Sequence, residues 1–217
     1  MNKKKRFKVT FLLDNKNLWI QKYLLDFDFG LNRKYLFQIQ KNKNLVKNQD
    51  IVFPLAYTKV LSKKFINDNK LVIIVHASRL PKDKGFAPIQ NQILKNKKKL
   101  FISLIKAEDK VDSGNIYLVN SFSLKGHELY NEIRHFQAQE CFKIIKEFLI
   151  KFPKIKSRKQ YGQSNFNKKR YPKDSELNIN KSIKSQFNLL RVCDNENFPA
   201  FFTYKKKKYV LKIYKDN

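Results

Sequence analysis

The stretch VIIVHASRLPKDKGFAP, Val72 to Pro88, sets the reading of the chain. Apolar residues run from Leu71 straight into His76, the pattern of a strand buried on both faces of a sheet. Ser78, Leu80-Pro81 and Gly85 follow as turn chemistry, and Pro88 suits the first turn of a helix, PIQNQILKN. His76 at the end of such a strand has two readings. It either closes the core with its ring nitrogens satisfied or stands at a ligand site, since open α/β sheets bind ligands beyond the carboxyl ends of their strands.

Outward from this stretch, KVTFLLD (Lys8 to Asp14), YLFQIQ and DIVFPLAY (Asp50 to Tyr57) read as further strands. The proline of the last suits a strand end. LWIQKYLLDF and TKVLSKKFIN read as helices. KLFISLIKA and IYLVNSFSL are two more strands, separated by the polar loop EDKVDSGN. Between His127 and Phe152, the apolar positions Leu129, Ile133, Phe136, Ile144, Phe148 and Leu149 make the stripe of a long amphipathic helix. Strands alternating with helices predict a mostly parallel α/β sheet flanked by helices over residues 1–152. Residues 153–175, rich in Lys, Asn, Ser and Gln and without periodicity, read as a linker or surface loop. Residues 176–217 read as a small extension: a short helix, NKSIKSQFNLLRVC, and a β-hairpin around a Lys-rich turn.

The 217 residues are enough to bury a core, and 42% are hydrophobic, with 19 Phe. The formal charge of +29 suggests a polyanion. Yet seven of the 47 basic residues are Arg and 40 are Lys, and 22 residues are Asn. Lys, Asn, Ile and Phe rise together in AT-rich coding, whereas nucleic-acid readers favour the bidentate fork of Arg. The lysines are also scattered along the chain, so nucleic acid is not the expected partner. Cys141 and Cys193 have no metal spacing and read as buried thiols of a reducing compartment. No metal site is expected. The basic N-terminus has too short an apolar run for a signal peptide, and no window approaches a membrane span. A cytoplasmic protein is expected.

Three strand ends carry suggestive residues: Pro54 to Tyr57, His76 to Ser78, and the loop Glu108 to Gly114. Period-two geometry puts Ile74 and His76 on the same side of their strand. The ordered set His76-x-Ser78-x-Leu80-Pro81, Gly85 and Pro88 is followed by Asp112-Ser113-Gly114, with Asp112 36 residues after His76. From about Lys8 to Phe152 this set resembles the formyltransferase family, which includes the glycinamide ribonucleotide, methionyl-tRNA and nucleotide-sugar formyltransferases. Several fixed residues at the right distances are far more specific than a lone His-x-Ser.

The resemblance implies a Rossmann-like sheet and N10-formyltetrahydrofolate as formyl donor. It makes His76 the general acid and base, with Asp112 orienting the imidazole. The folate pocket is expected from Leu55, Ala56 and Tyr57 and from the loop that carries Ala107, Glu108 and Val111. Acceptor contacts are expected from Ser78, Lys84, Gly85, Arg191 and Phe201. The segment ending in Arg191, followed by Pro199-Ala200-Phe201, is similar to the one after the catalytic domain in methionyl-tRNA and sugar formyltransferases. A short hairpin there resembles the sugar enzymes, which implies a nucleotide-activated amino sugar as acceptor and a homodimer. Another amine, such as methionyl-tRNA, is the alternative acceptor. One departure stands out: the family's Asn two residues before the histidine is Ile74 here. Ile cannot donate to a developing oxyanion, and losing one such donor costs on the order of 10²–10³ in rate. A non-catalytic polyanion-binding protein is therefore the reading from a different class.

Overall fold

The computed structural model describes residues 5–15 and 17–216. Strands β1 (Phe7–Leu13), β2 (Tyr35–Gln40) and β3 (Ile51–Leu55) form a parallel sheet in the order β2-β1-β3. Val9 and Leu12 of β1 and all of β3 are buried, as central parallel strands require. Strand β2 is an edge, and beyond the buried Tyr35 its residues are half-buried or exposed. A parallel bridge from Val52 to Val72 connects β3 to β4 (Ile73–His76). From there the sheet changes character: β4 pairs antiparallel with β6 (Lys99–Lys106), and β6 with β7 (Ile116–Ser123). The fold is thus α/β with a parallel half and an antiparallel half. The change of direction escapes a sequence reading because fully buried strands are apolar throughout whichever way they run.

Between these strands lie α1 (Gln21–Leu25), preceded by a 3₁₀ turn at Leu18–Ile20, then α2 (Lys63–Asn67) and α3 (Pro88–Leu94). Helix α4 (Tyr130–Lys151) covers the sheet with Ile133, Phe142, Ile145, Phe148 and Leu149, all buried. Phe11 of β1 stacks against Phe29, Phe37 and Phe53 at centroid distances of 5.2–5.9 Å, so aromatic rings fill much of this layer. Tyr35 donates to the Leu149 carbonyl at 2.6 Å, and burial pushes its hydroxyl pKa up to about 12. Helix α5 (Ile183–Arg191) and the hairpin β9–β10 (Ala200–Tyr204, Lys207–Leu211) pack a smaller cluster around Leu177, Leu190, Cys193 and Ala200.

Residues 153–175 do not hang free of the first unit. Their strand β8 (Phe166–Asn167) pairs in parallel with β5 (Lys84–Gly85), and Arg158 bridges to Ile116. Cys141 and Cys193 are buried free thiols, and burial pushes the Cys141 thiol up to about 12. Among the described residues, no helix is long and apolar enough to cross a membrane.

Candidate active site

Beyond the Val52–Val72 bridge, β3 and β4 diverge, and a cavity of about 500 Å³ opens between their ends. Pro54 is compatible with this split because it has no N–H to offer a neighbouring strand. One wall is Leu55, Ala56 and Tyr57; the other is Ile74, His76 and Ala107, with Glu108 and Val111 on the loop. The loop after β3 is fastened from the end of β1. Asp14 accepts from the Thr58 N–H at 3.1 Å and from the Thr58 hydroxyl, and Asn17 donates to the Ala56 carbonyl at 2.8 Å. Burial, and then the Asp14 carboxylate, push the Tyr57 hydroxyl above its ordinary value.

His76 is buried at the tip of β4. Its Nε2 lies 2.9 Å from the Asp83 carbonyl, which can only accept, so this nitrogen carries a proton. Its Nδ1 faces Asp112 Oδ1 at 3.3 Å. Asp112 has a left-handed φ of 52° and is held from two sides. Its Oδ2 accepts from the Gly85 N–H at 2.9 Å, and its carbonyl accepts from Gln160 at 2.9 Å. Gln160 also donates to the Gly114 carbonyl at 2.8 Å. Gly114 must lack a side chain, since a Cβ there would overlap the Lys106 carbonyl.

The Asp83 turn is equally fixed. Its carboxylate is paired with Lys95, lies 3.2 Å from Lys97 Nζ and accepts from Asn165 at 3.3 Å. Burial alone would raise the Asp83 pKa. Hydrogen bonds from Lys95, Asn165 and Lys97 overcome that and bring it down to about 2.

The cavity thus brings together His76, Asp112, Leu55, Ala56, Tyr57, Ala107, Glu108, Val111 and Gly85. Ser78, Lys84, Arg191 and Phe201 are placed elsewhere. Ser78 is fully buried and donates to the Lys82 carbonyl at 2.7 Å, pinning its own turn. Lys84 lies over the ring of Phe166. Arg191 is buried beside Glu128, donating to its carbonyl at 3.1 Å and to Asn188 at 2.8 Å. Phe201 packs under the ammonium of Lys208 at 3.9 Å.

The sequence reading missed Asp14, Asn17 and Gln160, which hold the loops, and Trp19 and Arg134, which line the cavity. Asp14 carried a signal: like His76, it is a polar residue closing an apolar strand. A second cleft of about 580 Å³ adjoins the cavity and shares Asn17, Trp19, Ala87, Gln90 and Arg134 with it. Arg170, Tyr171, Asn197 and Phe198 line its far side. Among the described residues, no group of three His, Cys, Asp or Glu could hold a metal ion.

Known proteins share this architecture. Residues 4–145 match the family model described as formyl transferase. Methionyl-tRNA formyltransferase of Buchnera aphidicola subsp. Acyrthosiphon pisum (strain Tuc7) is 31% identical over 156 residues, which cover 70% of this chain and 49% of that protein. The chain spans about half the length of the curated relatives it matches. Methionyl-tRNA formyltransferase from Clostridium thermocellum superposes with a TM-score of 0.79 at 23% identity, covering 93% of this chain and 90% of that one. A 4-N formyltransferase from Francisella tularensis gives 0.71 at 14% identity, with 97% and 98% covered. With the match to the family model extending over most of the sheet and the His76–Asp112 pair, the chain belongs to the formyl transferase family.

Proposed function

We propose that the chain is an N-formyltransferase that moves a formyl group from N10-formyltetrahydrofolate to a primary amine. The observation that carries this reading is the buried His76–Asp112 pair at the mouth of a largely apolar cavity. The cavity falls within the roughly 300–1,000 Å³ of small-molecule sites, and Leu55, Ala56, Tyr57, Ile74 and Val111 offer the apolar walls that a flat pteridine needs. The folate supplies an activated formyl carbon. His76 is the group suited to take the proton that the attacking amine must lose and to return one to the departing nitrogen. Asp112 faces Nδ1 and sustains the charge that the ring acquires. Ser78 and Asn115 do not line the cavity, so neither stands in for the amide that Ile74 lacks.

Methionyl-tRNA is the acceptor favoured by the sequence relatives. The segment 154–173 also favours it. It carries eight Lys or Arg, with Tyr161, Phe166 and Tyr171 exposed among them. Basic segments with exposed aromatics suit single-stranded nucleic acid, whose phosphate backbone is met by the charge of either Lys or Arg. A nucleotide-linked amino sugar is the second acceptor reading, supported by the near-complete mutual coverage with a sugar N-formyltransferase, 97% and 98% at a TM-score of 0.72. In that reading, the exposed Tyr209 and Val210 of β10 offer a dimer contact.

The test is release of tetrahydrofolate from N10-formyltetrahydrofolate, with methionyl-tRNA and with UDP- and dTDP-linked amino sugars run in parallel. The expected result is turnover with methionyl-tRNA that falls about 10²–10⁴-fold in His76→Ala. Turnover with amino sugars alone would select the second reading. No turnover with any acceptor, or full activity in His76→Ala, would overturn the proposal.

A further inference from the structure

The passage between the cavity and the second cleft contains one charged residue, Arg134 of α4. Its guanidinium carbon lies 4.4 Å from the Trp19 ring centroid and 5.0 Å from that of Tyr130. Two aromatic faces therefore hold the group flat. Nη1 donates to Gln137 at 2.9 Å, while the buried Nε has no hydrogen-bond partner. Among the described residues, Arg134 forms no ion pair. Arg134 as a whole is half-buried, but its Nε is a buried donor left unused, and such a donor is costly unless something completes it.

Its surroundings say what that is. Arg170 is the other cation of the second cleft. The acid there, Asp194, is already consumed: Asn197 and two backbone N–H groups donate to it and hold its carboxyl below the usual range despite burial. Trp19, Tyr171 and Phe198 add ring surface. A planar positive fork among aromatic rings matches a phosphate group that carries a nucleobase.

We infer that Arg134 binds a phosphate of the acceptor at the junction of the two clefts and so determines which amine reaches His76; this rests on the formyl-transfer reading. The shared chemistry is a nucleotide phosphate, from either an RNA 3′ end or a nucleotide sugar.

Trp19 is the sole tryptophan of the chain, so its fluorescence reports directly on this junction. The protein is titrated with AMP against adenosine and with UDP against uridine, without folate. Wild type should bind at least one nucleotide about tenfold more tightly than its nucleoside. Arg134→Gln should erase that preference while nucleoside binding persists, and Arg134→Lys should restore part of it. A phosphate preference with AMP points to RNA, and with UDP to a nucleotide sugar; both support the assignment. Equal binding of nucleotide and nucleoside by wild type, or a preference kept in Arg134→Gln, would overturn it. Arg170→Gln serves as a second variant and should weaken nucleotide binding less. Because no turnover is read, failure of formyl transfer and failure of this inference are distinguishable.

Discussion

Substituting Gly85 by Ala tests how the segment after α4 is coupled to the His76–Asp112 pair. Gly85 has a φ of +84°, and a Cβ there would stand 2.7 Å from the Asn167 carbonyl oxygen. Ala in a left-handed conformation costs about 1–2 kcal/mol. The overlap is with backbone, so rotating a side chain cannot relieve it; β8 must move by about half an ångström. That weakens the hydrogen bond from the Phe86 N–H to the Asn167 carbonyl, at 3.2 Å, worth about 1 kcal/mol. Together these give about 2–3 kcal/mol. For a chain of this size that lowers Tm by about 4–12 °C in calorimetry or thermal circular dichroism. The Gly85 N–H also donates to Asp112, so kcat should fall about tenfold or more as that carboxylate loses its anchor. Gly126→Ala is the comparison: its φ is +111°, but nothing lies within 4 Å of the added Cβ, so backbone strain alone applies. If both variants melted alike and Gly85→Ala kept full activity, the coupling of β8 to the site would be refuted.

The Asp83 carboxyl, lowered in the folded state to about 2 from an ordinary 3.8, contributes stability that is present above pH ~4 and lost as pH falls through its folded value. That contribution is about 2 kcal/mol, so denaturant titrations should show Asp83→Asn less stable than wild type by that amount at neutral pH, with the gap closing toward pH 2; a constant gap would contradict the assignment. Ile74→Asn places an amide donor in the cavity on the side of His76 and should raise kcat by about 10²-fold at a cost of about 1–2 kcal/mol in stability. A folded Ile74→Asn protein with unchanged kcat would show that this position does not face the reacting oxygen.

What the sequence made legible was local. The runs ending in Tyr57 and His76 are continuous apolar segments capped by polar residues, so strands and strand ends could be read, and with them the residues that gather at the cavity. The family resemblance carried by His76, Asp112 and the residues between them implied the pair before any geometry was known. Residues 153–175 could not be read in this way. Their hold on the site depends on the amides of Gln160 and Asn165 and on a two-residue strand, none of which has a periodic pattern. Arg134 was invisible for a related reason. On α4 it is one more basic residue of an amphipathic helix, and only the placement of Trp19, 115 residues earlier, gives it a role. Arg191 shows the converse: a charged residue in a suggestive motif whose partners, Glu128 and Asn188, make it part of the packing.

The two readings of His76 with which the chain was met turn out not to exclude each other. The residue closes the core and lines the cavity at once, and its two nitrogens divide these tasks. The Asp83 carbonyl fixes the ring through Nε2 at 2.9 Å, and the turn that carries it is tied down by Lys95, Lys97 and Asn165. Nδ1 has the longer contact, 3.3 Å, to a carboxylate on a strained, left-handed residue. A proton held against an immobile carbonyl is expensive to surrender, whereas the Nδ1 lone pair faces a partner that becomes a better one once the ring gains charge. The Asp83 carbonyl thus orients the ring, and the formyl-transfer reading proposed above assigns proton exchange to Nδ1. In that reading Asp112 stabilises the charge of the ring, and β5 together with Gln160 holds Asp112 in place.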